Sequence, residues 1–285
     1  MTLIPAFQKD DALLADIEAA AGRTDVVTVW WLGQSGFLLA HGHQRILIDP
    51  YLSDSLTRKY AGTDKPHVRM GERVIDPAKL PGITLVTSSH NHTDHLDGDT
   101  LIPLLGQQPD MKMLIPEANR AFVTDRIGKP FVFPIGLNDG EEVSIDGIKV
   151  YGIPAAHNHI DRNADHQCLY MGFVFQFGGL HIYHSGDTLW YEGMEALLRP
   201  FRIDLAFLPI NGNDPARKVA GNLNAREAAA LAKAIGAKMT VPCHYDMFSF
   251  NTADPREFAV AAEETGINYK ILQLGEKLQL PTPKY

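Results

Sequence analysis

Short apolar runs alternate with polar and glycine-rich segments along the whole chain, and their spacing predicts the secondary structure. An amphipathic period predicts a helix over about residues 10–20. Three β-rich runs follow it, separated by glycine turns, at 26–31, 37–39 and 46–48. The next segment, about 51–79, shows no clear period, and so long an excursion within a domain is usually functional or mobile.

Three parts follow this segment: one in which strands and helices alternate, one made of strands only, and a second alternating part. The first alternating part predicts strand, helix, strand and helix at 83–87, about 99–105, about 111–115 and about 117–127. Strands follow at 142–145, 148–153, 169–177 and 180–184. The last part predicts helices and strands in turn at about 193–198, 205–208, 225–235, 238–241, 255–264 and 269–273.

This order of elements describes two similar halves, each made of strands followed by alternating units. Two such halves can bury their apolar faces by packing sheet against sheet with the helices outside. We therefore expect an α/β fold, a four-layer αββα sandwich. No composition shift marks a linker, so residues 1–285 are predicted to form one domain with a short N-terminal helical extension over about 1–24.

Composition excludes several classes of protein. Hydrophobic residues make up 45% and charged residues 21% of the chain, which is typical of a globular protein. The net charge of −8 argues against an electrostatic wrap around nucleic acid or an anionic membrane. Only Cys168 and Cys243 occur, so no disulfide framework is expected. Because neither a signal-peptide core nor a long apolar run is seen, we expect a soluble cytoplasmic protein.

The polar segment after the strand predicted at 83–87 holds four candidate metal ligands: His90, His92, Asp94 and His95. Imidazole and carboxylate groups are the ligands that hold zinc, manganese or iron at neutral pH. Four ligands so close together are hard to satisfy around one ion but suit two adjacent ions, which in hydrolases activate a bridging water. The alternative is a solvated, histidine-rich loop.

Three further candidate ligands each lie just past a predicted strand: His157, Asp187 and His244. Strand ends are where sites gather in layered α/β folds. Taken singly, such a histidine is more often a hydrogen-bonded structural residue, and Asp187 is explained as well by a turn or a helix cap. Their joint recurrence favours a metal site.

These seven residues resemble the ligands of the metallo-β-lactamase fold hydrolases, whose His-x-His-x-Asp-His motif matches residues 90–95. Within that superfamily the chain is most similar to the L-ascorbate-6-phosphate lactonase-like group. The stretches that carry this similarity are Trp30-Trp31-Leu32-Gly33, Tyr183-His184-Ser185-Gly186-Asp187 and residues 238–248 with Pro242-Cys243-His244-Tyr245-Asp246.

The resemblance implies two divalent cations, zinc or manganese with iron as an alternative. One cation is expected on His90, His92 and His157, and the other on Asp94, His95 and His244. Asp187 and a hydroxide would bridge them, with Asp94 also orienting this nucleophile as a catalytic residue. Asp49 and Ser185 are candidates for the partners that fix the imidazole tautomers, although turn chemistry explains both equally well.

Two loops are expected to contact the substrate, the basic segment 51–73 and the segment 209–223. In the second loop, Asn211, Asn213 and Arg217 could hydrogen-bond an anionic or hydroxylated small molecule, the alternative being solvated loop side chains. We expect a metal-dependent hydrolase that opens a small polar sugar lactone or ester, with or without a phosphate. The alternatives are a phosphodiesterase acting on small nucleotides or other phosphodiesters, and a di-iron or metal-binding redox module. A homo-oligomer is left open.

Overall fold

A computed structural model describes residues 2–214 and 221–283 as two mixed β-sheets between outer helices. The first sheet has the order β13-β1-β2-β3-β4-β5-β6. Its strands are β1 (Val26–Gly33), β2 (Gly36–His41), β3 (Gln44–Ile48), β4 (Leu85–Thr87), β5 (Lys112–Pro116), β6 (Ile135–Leu137) and β13 (Lys277–Pro281). The second sheet has the order β12-β11-β10-β9-β8-β7. Its strands are β7 (Glu142–Ile145), β8 (Ile148–Pro154), β9 (Met171–Phe177), β10 (Leu180–His184), β11 (Leu205–Pro209) and β12 (Thr240–Cys243).

All the predicted helices form close to their expected positions, and one unpredicted helix forms at Ser55–Lys59. Among the described residues they are α1 (Asp10–Ala19), α2 (Ser55–Lys59), α3 (Gly98–Gln107), α4 (Arg120–Ile127), α5 (Met194–Leu198), α6 (Ala225–Ile235) and α7 (Pro255–Thr265). α6 begins with a capping box, in which Asn224 and Glu227 each accept a main-chain N–H from the other. No helix in the described part of the chain is long and apolar enough to cross a membrane.

The two sheets meet through aromatic side chains that the alternation of each strand turns inward. The ring of Phe37 on β2 stacks on that of Phe207 on β11, with centroids 3.9 Å apart. Nε2 of His184, at the end of β10, lies 3.0 Å from the main-chain carbonyl of Ser35, in the turn between β1 and β2 of the other sheet. The core is continuous with α1, whose Leu13 and Ile17 are fully buried. The four-layer αββα sandwich expected from the pattern is therefore confirmed.

The structure differs from the predicted elements at several places. The strand expected at 269–273 is reduced to an isolated bridge between Thr240 and Tyr269. The chain instead ends in β13, which pairs antiparallel with β1 at the edge of the other sheet. β6 was not expected, and the aperiodic segment 51–79 contains α2 and a short 3-10 helix at Pro77–Lys79. These elements are short or half-exposed, so their apolar pattern is weak.

Candidate metal centre

The four clustered ligands lie on the loop that follows β4. The main-chain N–H of His95 donates to the carbonyl of His92 at 3.0 Å, which folds the loop into a turn. This segment is therefore not an extended chain. The turn instead brings the rings of His90 and His95 together, with centroids 4.1 Å apart.

The three distant candidates follow strands of the second sheet: His157 comes after β8, Asp187 after β10 and His244 after β12. Left-handed backbone conformations at Gly186 and His244 orient the side chains of Asp187 and His244. Gly186 has φ +60°, and a Cβ there would lie 2.6 Å from the carbonyl of Met171. His244 has φ +66°, which is unusual for a residue with a side chain and is typical of functional sites.

The other six residues converge around the carboxylate of Asp187. On one side, its Oδ2 lies 4.0 Å from His90 Nε2 and 3.9 Å from His157 Nε2. On the other side, its Oδ1 lies 3.3 Å from His95 Nε2 and its Oδ2 3.6 Å from His244 Nε2. Asp187 therefore lies between two groups of donor atoms.

The Oδ2 atom of Asp94 completes the second group, at 3.7 Å from the Nε2 atoms of both His95 and His244. His92 completes the first: its donor atom and those of His90 and Asp187 all lie within 4.8 Å of one another. The ring of His92 is exposed, and it lies with its centroid 4.8 Å from that of His157.

The chemistry of these donors fits a metal centre. His90 Nε2, His95 Nε2 and Asp187 Oδ1 are buried, and within the described ranges none has a hydrogen-bond partner. Buried polar atoms are otherwise almost always paired. Cations bound at about 2.0–2.2 Å hold neighbouring ligand atoms roughly 3–3.6 Å apart, close to the spacing seen in the second group.

The electrostatics of the cluster also favour a cation. Burial and the neighbouring imidazoles hold the pKa of His90 well below its usual value. Burial disfavours the ionised form of Asp187, but His95 and His244 outweigh it and keep its pKa well below the usual range. Burial also opposes a charge on His95, yet the carboxylates of Asp187 and Asp94 raise its pKa well above the ordinary value. Two ionised carboxylates, of which Asp187 is buried and Asp94 partly buried, thus face one proton on His95, a charge that a metal ion can replace.

A buried carboxylate behind the cluster sets the imidazole tautomers. Asp49 is fully buried, and its Oδ2 accepts a hydrogen bond from His95 Nδ1 at 2.8 Å. The same oxygen accepts the hydroxyl proton of Ser89. Because Ser89 has only one proton to donate, its Oγ can only accept from His90 Nδ1, which lies 3.0 Å away. Both imidazoles therefore present an unprotonated Nε2 to the cluster when they are neutral.

The structure places Ser185 differently from the sequence expectation. Its hydroxyl donates to the carbonyl of Gly186 at 2.7 Å, because the left-handed turn at Gly186 brings that carbonyl within reach. The hydroxyl beside the imidazoles belongs to Ser89, which sequence reasoning missed. Its position directly before His90 was the available signal.

A second residue missed by sequence reasoning, Tyr170, supports His157. The two rings are stacked, with centroids 5.0 Å apart and an interplanar angle of 19°. His157 also lies against Gly221, where a Cβ would come within 2.5 Å of the imidazole. Only a glycine at 221 leaves room for the ring in this position.

A cavity of about 370 Å³ opens over the cluster. His92, Asp94, His157, Asp187 and His244 form part of its wall. Three cationic side chains also line it: Lys59, Lys65 and Arg126. The acidic groups among the lining residues are the two carboxylates of the cluster.

One wall of the cavity is aromatic, and two of its rings, Tyr60 and His67, belong to the segment 51–73. His67 stacks on Tyr60 with centroids 4.3 Å apart and meets Phe250 edge-on at 4.5 Å. The Nδ1 of His67 donates to the carbonyl of Lys65 at 2.9 Å, so Nε2 is the nitrogen free to accept a hydrogen bond. Burial lowers the pKa of His67 and favours this neutral form.

Of the substrate contacts expected in the segment 209–223, the two that the structure describes do not line the cavity. Asn211 is buried and donates to Oδ1 of Asn251 at 2.9 Å, and Asn251 rather than Asn211 lines the cavity. Asn213 is exposed away from the cavity wall. Arg217 lies outside the described residues. Asn222, near the end of this loop, lines the cavity and was not singled out from sequence.

Comparison with known proteins agrees with this architecture. A family model described as a β-lactamase superfamily domain matches residues 44–245. A UPF0173 metal-dependent hydrolase of Pelotomaculum thermopropionicum is 30% identical over 257 residues, covering 88% of this chain and 99% of the relative. The corresponding protein of Thermococcus onnurineus is 30% identical over 258 residues, covering 90% and 100%. The solved structure of an isothiocyanate hydrolase from Delia radicum gut bacteria superposes with a TM-score of 0.72 at 21% identity, covering 90% of this chain and 100% of that one, which shows a shared fold.

Proposed function

Because the chain belongs to the β-lactamase superfamily and is a metal-dependent hydrolase of that family, we propose that it hydrolyses a small anionic ester or lactone at a two-cation centre. The observation that carries the proposal is the position of Asp187. Its carboxylate lies within 4.0 Å of imidazole nitrogens on both sides, as a ligand shared by two cations must.

His90, His92 and His157 would hold one cation, and Asp94, His95 and His244 the other. When bound, such a pair supplies a hydroxide at neutral pH and stabilises the negative charge that develops on the attacked group. The protein contributes orientation: Asp49 directs His95, and Tyr170 directs His157. Asp94, with one oxygen held by Gln34 Nε2 at 2.8 Å, can accept a proton from a nucleophilic water.

The charges on the cavity wall support an anionic substrate. Lys59, Lys65 and Arg126 form no ion pair within residues 2–214 and 221–283. Arg126 Nη1 donates to the main-chain carbonyls of Asn91 and Leu96, both at 3.0 Å, and this fixes its position at the wall. Three cations around one opening attract a carboxylate or phosphate group. In a sugar lactone or ester that carries such a group, the anionic group would contact the cationic side chains of the wall and the ester bond would lie at the metal centre.

The proposal is tested with purified protein loaded with zinc or manganese. A panel of sugar lactones and esters, each with and without a phosphate, is compared with cyclic nucleotides and aryl phosphodiesters. We expect turnover of the lactones or esters, with a lower KM for the phosphorylated members. Turnover restricted to phosphodiesters would instead establish the alternative activity, and two iron ions with redox activity would establish the redox module. Asp187→Ala serves as the inactive control.

A further inference from the structure

Gln34 is a fully buried polar residue in the turn between β1 and β2. Its backbone is in the left-handed region with φ +52°, a conformation that costs about 1 kcal/mol or more for a residue with a Cβ. Its main-chain carbonyl accepts hydrogen bonds from the indole of Trp31 and from the main-chain N–H of His244, both at 3.0 Å. The strained turn is thus held in place and is tied directly to the backbone of one cluster residue.

The side chain of Gln34 reaches a second cluster residue. Its Nε2 donates to Oδ2 of Asp94 at 2.8 Å. This oxygen is the atom of Asp94 that faces the imidazoles of His95 and His244. A carboxylate oxygen has two lone pairs, so it can accept this hydrogen bond and still bind a cation.

The amide also packs on the ring of His244. Nε2 of Gln34 lies 3.0 Å from Nε2 and 3.3 Å from Nδ1 of that ring. A donor in line with the lone pair of one ring nitrogen would lie much farther from the second ring nitrogen. The two nearly equal distances therefore place the amide against the face of the imidazole, where N–H groups make weak contacts with the ring. The lone pair of His244 Nε2 stays free.

We propose that Gln34 is a positioning residue for one half of the metal centre, the half formed by Asp94, His95 and His244. It joins a ligand on the loop after β4, in the first sheet, to a ligand after β12, in the second sheet. Its contacts to cluster residues, within the described chain, all fall in this half. The inference rests on the proposed function in one respect, that the centre binds two cations.

The expected consequence is selective. Partners that orient metal ligands typically change affinity by about 10–100-fold. Gln34→Leu keeps the approximate volume and the packing on His244 but removes the donor to Asp94. We expect it to weaken the binding of one cation by roughly 10–100-fold and to leave the other within about twofold.

The test is a titration of chelator-treated protein with zinc in competition with a chromophoric chelator. Elemental analysis gives the stoichiometry, and cobalt titration gives the absorption spectrum of each site as it fills. Gln34→Asn keeps a donor on a shorter side chain and should show a smaller loss in the same step. Gln108→Leu is the matched control, because Gln108 also joins two loops, through Leu80 and Ile83, but lies away from the cavity.

Two binding steps in the wild type, with one selectively weakened in Gln34→Leu and neither in Gln108→Leu, would support the inference. Unchanged or tighter binding of both ions in Gln34→Leu would overturn it while leaving the proposed function intact. Equal weakening of both steps would also overturn it. A wild-type protein that takes up fewer than two cations would overturn the two-cation function and the inference together. If Gln34→Leu fails to fold, Gln34→Asn decides between these outcomes.

Discussion

The Oδ2 atom of Asp49 accepts a hydrogen bond from Nδ1 of His95 at 2.8 Å, and the hydroxyl of Ser89 connects the same oxygen to His90. One buried carboxylate thereby orients two imidazoles that belong to opposite halves of the cluster. Asp49 itself has φ +40°, a strained backbone conformation that places its carboxylate behind the ligands.

Replacing Asp49 with Asn should weaken metal binding in both halves. The carboxylate accepts hydrogen bonds through both oxygens, whereas an amide has only one acceptor oxygen. Its NH2 group would therefore face either the main-chain N–H of Ser89 or Nδ1 of His95, and that donor would lose its acceptor. We expect affinity to fall by roughly 10–100-fold for both cations, measured by chelator competition. Asp110→Asn, at an exposed position, is the control. Binding by Asp49→Asn equal to wild type would show that the carboxylate does not orient the ligands.

Asp187→Ala and His92→Ala should abolish hydrolysis while leaving the fold largely intact. Asp187 is shared by the two groups of donors and His92 is exposed at the cavity, so neither side chain is part of the apolar core. We expect turnover to fall by roughly three orders of magnitude or more, with an unchanged circular dichroism spectrum. Asp161→Ala, which removes a carboxylate paired with His159 outside the cluster, should retain turnover. Full activity in either cluster variant would mean that the active centre lies elsewhere.

The double variant Lys59→Ala/Lys65→Ala should raise KM for anionic substrates with little change in kcat. Both lysines line the cavity, but the metal centre and its orienting residues are untouched. We expect KM to rise by about tenfold at low salt, less at high salt, and hardly at all for neutral substrates. Steady-state kinetics at two salt concentrations measure this, with Lys79→Ala/Lys112→Ala as a control away from the cavity. A KM rise that is equal for neutral substrates would point to damaged structure instead.

The ionised carboxylate of Asp16 should increase the free energy of unfolding, and this contribution should be lost at acidic pH. Burial alone would raise its pKa, but hydrogen bonds from Lys277, Trp30 and Gln8 outweigh burial and lower it. A carboxyl with a depressed pKa in the folded protein stabilises at pH values above its unfolded pKa, and this contribution is lost as the pH falls through the folded pKa.

Asp16→Asn should therefore be less stable than wild type by about 1 kcal/mol at pH 7, since solvent screens the pair with Lys277, with the difference shrinking below about pH 4. Urea unfolding between pH 3 and 7 measures the difference. Asp25→Asn is the comparison, because the exposed pair of Asp25 with Arg23 should matter little. A difference that grows toward low pH would refute the assignment.

Local pattern was sufficient for most elements and for the types of ligand. The amphipathic period of α6, with its capping residues, and the continuous apolar runs of β1 and β9 depend on neighbours a few residues apart, which sequence displays directly. The residues 90–95 likewise indicate a metal site, because several imidazole and carboxylate side chains so close together in sequence are typical of metal ligands. The ligand roles themselves stay predictions until metal binding is measured.

Pairings between distant parts of the chain were not available from such patterns. β13 joins β1 across some 250 residues, and its alternation of exposed and half-buried positions is the same that a solvated tail could show. The choice of Ser89 over Ser185, and the contacts of Gln34 with Asp94 and His244, depend on backbone turns at Asp49, Gly186 and His244 that only long-range packing stabilises. The residue types and the local periodicity follow from the sequence alone. The hydrogen-bond partner of each polar group depends on the tertiary structure, because the folded core decides which distant segments come within about 3 Å of one another.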